Sequence, residues 1–256
     1  MEGCEVQPHI RLRKDQVHPV ALVVGDPARA LQIAKMSDIY TELSYNREYR
    51  SFDCSVSGVR FTVLSHGVGS SGAAVALEEL IWCGAKAIIR AGTAGSLQQH
   101  IKTGDLTVSY AAAREEGVTA LMVPLNYPAA ASPEVYQALT TSANELNTKY
   151  HSGICVTSDL FYKPKVLPSS LEMYSKANVQ IVSMEESILF IQGTLNNVLT
   201  GAIHVVDGSP LKWDEADYDP TGEKVSAGKK MMIQICFSAV KKLAKLLQER
   251  QSATSN

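Results

Sequence analysis

Two rhythms of apolar and polar positions run along this chain. Short β-branched or aliphatic runs recur at 20–24, 60–64, 87–90, 106–110, 153–157 and 202–206, and most of them run into Gly, Asp or Ser. Helical spacing follows several of them, at 71–82 and roughly 184–193. It is clearest near the C-terminus, where Met232, Ile235, Ala239, Leu243 and Leu246 follow one another at steps of three and four and form one apolar stripe. Such alternation predicts βα units. The stretches AIIRAG and AIHVV are unbroken apolar runs, as expected of strands covered on both faces. The expectation is an α/β fold: one domain over residues 1–256, with a mixed, mostly parallel central sheet flanked by helices. Two proline-bearing loops interrupt the pattern, at 122–133 and 209–223. The second holds Pro210, Trp213 and several acidic residues, and it reads as a lid.

Composition narrows the function classes. Lys plus Arg number 24 against 26 Asp plus Glu, so no global field favours nucleic acid or an anionic membrane. The five cysteines are scattered, with no C-x-x-C pair and no His at zinc-ligand spacing, so no metal site is expected. Free thiols in a reducing compartment are the natural reading, and the N-terminal sixteen residues contain no apolar signal core. A cytoplasmic protein without membrane segments is expected.

The chemically suggestive residues cluster where strands end, which is where open α/β sheets bind ligands. In VVGDPARA, Gly25 closes a strand, Asp26 is placed to cap a helix, Pro27 takes its first position and Arg29 lies in its first turn. Free amides at a helix start together with a guanidinium suit phosphate oxygens; a capped helix with an exposed Arg is the plainer alternative. SHGVGSSG formally matches G-x-G-x-x-G, yet no acidic residue closes the next strand to hold a ribose hydroxyl. A tight turn against a small ligand, or a structural turn, fits it better. RAGTAGSL ends an apolar strand with Arg90 and Thr93, suited either to an anion or to a buried ion pair. Glu185 in SMEES and Asp207 in VVDG sit in apolar surroundings, where an unpaired carboxyl stays protonated to higher pH and serves as a general acid; a loop cap is the alternative for Asp207. Phe161 and Tyr162 in SDLFY offer a platform for a heterocyclic base, or core packing.

Taken in order, VVGDPARA, YNREYRSF, SHGVGSSG, RAGTAGSL, SDLFY, SMEES and VVDG resemble the hexameric nucleoside phosphorylase family, which includes purine nucleoside and uridine phosphorylases. The resemblance spans nearly the whole chain. LKWDEADYD is similar to the loop that follows the catalytic Asp in the apicomplexan purine enzymes of that family. The resemblance implies phosphorolysis of a purine nucleoside such as inosine or guanosine to free base and ribose 1-phosphate, with inorganic phosphate as co-substrate and no cofactor. It implies that Gly25, Arg29, Arg47, Arg90 and Thr93 hold phosphate. His9, Met184 and Glu185 would hold ribose, Phe161, Val182 and Trp213 the base, and Asp207 would be the general acid at purine N7. It further implies a homohexamer built as a trimer of dimers, in which the N-terminal segment 1–18, through His9, and also Arg47 reach a neighbouring subunit. The alternatives are a uridine phosphorylase and a catalytically silent nucleoside-binding protein of the same fold. Ser183 departs from the family pattern, where Glu often precedes the Met-Glu pair. No Arg lies between Asp207 and Arg250 to assist the acid, unlike in bacterial purine enzymes.

Overall fold

A computed structural model describes residues 5–162, 166, 168–211 and 218–254. Among the described residues, ten strands share one sheet: β1 (Val20–Val24), β2 (Ile39–Asn46), β3 (Tyr49–Val56), β4 (Val59–Ser65), β5 (Ala87–Ser96), β6 (Leu106–Glu115), β7 (Ala129–Ala130), β8 (His151–Ser158), β9 (Ile181–Ser183) and β10 (Leu199–Gly208). Six α-helices of the described residues flank them: α1 (Pro27–Met36), α2 (Ser70–Trp82), α3 (Pro133–Glu145), α4 (Ser170–Lys176), α5 (Glu186–Leu195) and α6 (Glu223–Thr254).

The fold is α/β with a mixed sheet. Its centre, β4-β1-β5-β10, is parallel throughout. Antiparallel pairs carry β2 and β3 outward as an edge and join β6 to β10 and β9 to β5. Because β6 and β8 pair in parallel, and β8 and β9 likewise, strands β5, β10, β6, β8 and β9 close on one another as a ring beside the open sheet.

Alternation within β1 explains its unbroken apolar run. Val20, Leu22 and Val24 join the core formed with α1, α3 and α6, while Ala21 and Val23 join the one formed with α2 and α5. The stripe on α6 behaves as its spacing predicts: Met232, Ile235, Ala239 and Leu243 are buried, and Leu246 packs partly against the same core. Burying each of the larger of these side chains stabilises the fold by about 1.5–3 kcal/mol. Helix α1 starts where Asp26 accepts a hydrogen bond from the Ala28 amide at 2.8 Å and Pro27 occupies the first position.

One feature of β5 creates the cleft. Its first half pairs with β1, up to Arg90 beside Val23; its last residues, Gly95 and Ser96, pair instead with β9. Where those two neighbours part, a crevice opens along β5, as at the strand-order reversals of doubly wound sheets.

Candidate active site

A cavity of about 810 Å³ fills that crevice. Gly25 and Arg29 enter from β1 and α1, Arg90, Thr93 and Gly95 from β5, and Val182, Met184 and Glu185 from β9 and the start of α5. Asp207 comes from the end of β10 and Ser158 from the end of β8, while Phe161 and Tyr162 follow β8. Thus the sequence-predicted Gly25, Arg29, Arg90, Thr93, Phe161, Val182, Met184, Glu185 and Asp207 line one cavity. Two predicted residues do not line it. His9 hydrogen-bonds Glu79 of α2 through its ring at 2.6 Å, and Arg47 is exposed in the β2–β3 turn with φ of 54°. Trp213 lies outside the described residues, as does the centre of the predicted lid, 212–217. On either side of that centre, Pro210 and Tyr218 line the cavity.

Sequence reasoning missed Glu48 and Tyr218 as lining residues. Glu48 stands next to Arg47 in the β2–β3 turn, and Gly67 makes room for it: with φ of 76°, a Cβ there would lie 2.7 Å from Glu48 Cγ. The signal was the YNREYRSF motif itself, in which the Arg was singled out and its acidic neighbour was not. Tyr218 packs edge-on against Phe161, with ring centroids 5.9 Å apart, and Phe161 against Tyr162 at 5.0 Å. Aromatic rings therefore line part of the cavity, and Tyr218 lies near Asp207 and Arg29.

The glycine-rich turn before α2 serves a carboxylate. The Gly69 amide donates to Glu185 Oε1 at 2.8 Å, and Ser70 Oγ donates to the Met184 carbonyl at 2.8 Å. Glu185 also forms an ion pair with Arg90, and both side chains are buried. Burial alone would raise the Glu185 carboxyl, but Arg90 and His66 hold it below the ordinary carboxylate range. Burial pulls the Arg29 guanidinium downward, with nearby Arg90 adding to the effect against Asp26. Two guanidiniums this close repel each other unless anionic groups share the space. Glu185 and Asp207 supply part of that compensation.

Asp207 differs from Glu185. The β10–β5 register slips between Val206 and Gly208, so Asp207 is the extra residue of a bulge. Such insertions re-aim a side chain, and here the carboxyl turns into the cavity. Burial pushes it up to about 6, against the pull of a hydrogen bond from Thr93 and of Arg29. Between the ordinary value of 3.8 and about 6 the folded chain binds more protons at this group than the unfolded chain does. The stability contributed by the neutral carboxyl is thus present at low pH and lost as pH rises through about 6. Asp207→Asn, which cannot ionise, is expected to gain up to about 3 kcal/mol of stability relative to wild type between about pH 4 and pH 7. Denaturant unfolding of both proteins at the two pH values measures this; an unchanged difference would contradict it.

Among the described residues, no group of His, Cys, Asp or Glu is arranged to hold a metal ion, and no helix is long and apolar enough to cross a membrane.

The pattern of the phosphorylase superfamily matches residues 19–243. A purine nucleoside phosphorylase of Plasmodium vivax is 48% identical over 246 residues, covering 96% of this chain and 99% of that protein. The crystal structure of purine nucleoside phosphorylase from Toxoplasma gondii in complex with immucillin-H superposes with a TM-score of 0.94 at 48% identity, covering 96% and 99% of the two chains. A uridine phosphorylase of Thermococcus kodakarensis is 31% identical over 259 residues, covering 97% of this chain and 90% of that protein.

Proposed function

Since the chain belongs to the phosphorylase superfamily, we propose that it cleaves purine nucleosides with inorganic phosphate, releasing the free base and ribose 1-phosphate. The observation that supports this best is a carboxyl raised to about 6, Asp207, sharing one cavity with Arg29, Arg90 and Glu185. In this reading a phosphate oxygen forms a bond to ribose C1′ as the bond from C1′ to purine N9 breaks. The sugar passes through an oxocarbenium-like state, stabilised by the phosphate charge beside it. The electron pair left on the base is neutralised by a proton passing from the Asp207 carboxyl to N7.

The remaining roles follow from placement. Gly25, Arg29, Arg90 and Thr93 hold the phosphate, because two guanidiniums, a hydroxyl and the backbone before α1 line the same cavity. Glu185, already fixed by the Gly69 amide and Arg90, accepts from the ribose 2′- and 3′-hydroxyls, and Met184 packs under the sugar. Phe161 and Val182 line the base side; Tyr218 joins them there. His9 and Arg47, absent from the lining of their own cavity, complete the site of a neighbouring subunit in a homohexamer. The buried, unbridged thiols of Cys54, Cys83, Cys155 and Cys236 fit a reducing cytoplasm.

Incubating the protein with inosine, guanosine and uridine, with and without phosphate, tests the reading. Hypoxanthine and guanine are expected, in the presence of phosphate alone. Faster release of uracil would assign the cavity to uridine instead, and base release without phosphate would assign it to hydrolysis.

A further inference from the structure

Two buried titratable residues outside the cavity lining, His204 on β10 and Glu186 at the start of α5, connect to Arg90. Arg90 Nη1 lies 2.6 Å from His204 Nε2. A guanidinium only donates, so Nε2 is the acceptor and the imidazole proton sits on Nδ1. That atom faces Glu186 Oε1 at 3.6 Å, and among the described residues neither atom has a hydrogen-bond partner. The other oxygen of Glu186 accepts from Ser183 Oγ at 2.6 Å, and the Cys155 thiol donates to the same hydroxyl at 3.4 Å. On its far side Arg90 is paired with Glu185 through Nη2. Position 92 is built for this arrangement: a Cβ on Gly92 would lie 1.9 Å from Arg90 Nη1 and 2.7 Å from His204 Cδ2.

We propose that His204, oriented by Glu186, is a positioning residue that clamps one end of the Arg90 guanidinium so that its charge is presented to the phosphate. The inference rests on the phosphate role given to Arg90 above. It also gives Ser183 a function: the hydroxyl anchors the carboxylate of Glu186, the acidic residue that lies one place beyond Glu185. Burial pushes His204 down to about 4, so the imidazole stays neutral and remains an acceptor. Glu185 pairs with Nη2 and His204 with Nη1, so both terminal nitrogens of the guanidinium are held. A guanidinium held in this way loses little entropy when it meets an oxyanion.

The test compares His204→Gln, whose amide oxygen accepts from Arg90 while its NH2 group faces Glu186, with His204→Phe, which has the bulk and no acceptor. For His204→Phe the phosphate KM is expected to rise about tenfold or more, the loss of one hydrogen bond to a charged group. The nucleoside KM should stay within about threefold, and His204→Gln should lie near wild type on both. Binding of inorganic phosphate alone, followed by calorimetry on the same three proteins, reads the clamp without turnover, so it stands or falls apart from the identity of the nucleoside. Equal phosphate affinity in all three proteins would overturn the proposal. So would parallel losses for phosphate and nucleoside in both variants. If His204→Phe does not fold, Glu186→Gln replaces it and is expected to weaken phosphate binding several-fold; unchanged binding there would equally refute the clamp.

Discussion

Asp207→Asn is expected to lower kcat for inosine by about a hundredfold to ten-thousandfold, the usual contribution of a positioned general acid. The amide keeps the shape of the side chain and its place on the β10 bulge but has no proton to give to N7. Phosphate affinity should change little, because the amide can still accept from Thr93 and the residues proposed to hold phosphate, Gly25, Arg29, Arg90 and Thr93, are all retained. The loss should shrink for nucleosides whose bases leave readily without protonation, since the transition state then asks less of the acid. Steady-state kinetics on inosine and on an activated purine nucleoside provides the comparison. Near-normal inosine turnover in the variant would remove Asp207 from the chemistry.

Arg90→Met should act on both stability and phosphate use. The substitution keeps an unbranched chain but deletes the partner of buried Glu185 and leaves His204 Nε2 without its donor. Removing one member of a buried ion pair costs about 3–5 kcal/mol, because the surviving charge is stranded. For a chain of this length that corresponds to a fall in Tm of about 10 °C. The phosphate KM should rise about a hundredfold, the value of a charge-assisted contact to an anion. A variant with lowered Tm and unchanged phosphate KM would show that Arg90 serves Glu185 alone, the buried ion pair that the sequence also allowed.

Much of this arrangement was legible from residue patterns, and the parts that were not have physical reasons. β1 falls on 20–24 as read, and Asp26 caps α1, because an apolar run and an Asp-Pro step are strong local signals. The β2–β3 hairpin gave a weaker signal: β2 is exposed or partly exposed along its whole length and imposes no alternation, while the buried positions of β3 mix Ser51 with Tyr49, Phe52, Cys54 and Val56. Strand β9 is three residues long, too short for any period, yet it carries Val182 and leads into Met184 and Glu185. The closure of β5, β10, β6, β8 and β9 is a long-range pairing that no local pattern encodes. At the site, residues adjoining clear strand ends were recognisable by type and position. Glu48, Tyr218 and His204 were not, since each matters through a partner distant in sequence: Gly67, Phe161 and Arg90. Glycines mark two of those contacts. Gly67 and Gly92 are places where a side chain from elsewhere occupies the volume a Cβ would take.

The central claim is that inorganic phosphate attacks the sugar while Asp207 protonates the departing purine. Phosphorus NMR of the protein turning over inosine in phosphate buffer tests it most directly. The inorganic phosphate signal is expected to fall as a sugar 1-phosphate signal grows, one for one with hypoxanthine released. Hypoxanthine appearing while the phosphate signal stays constant would contradict it.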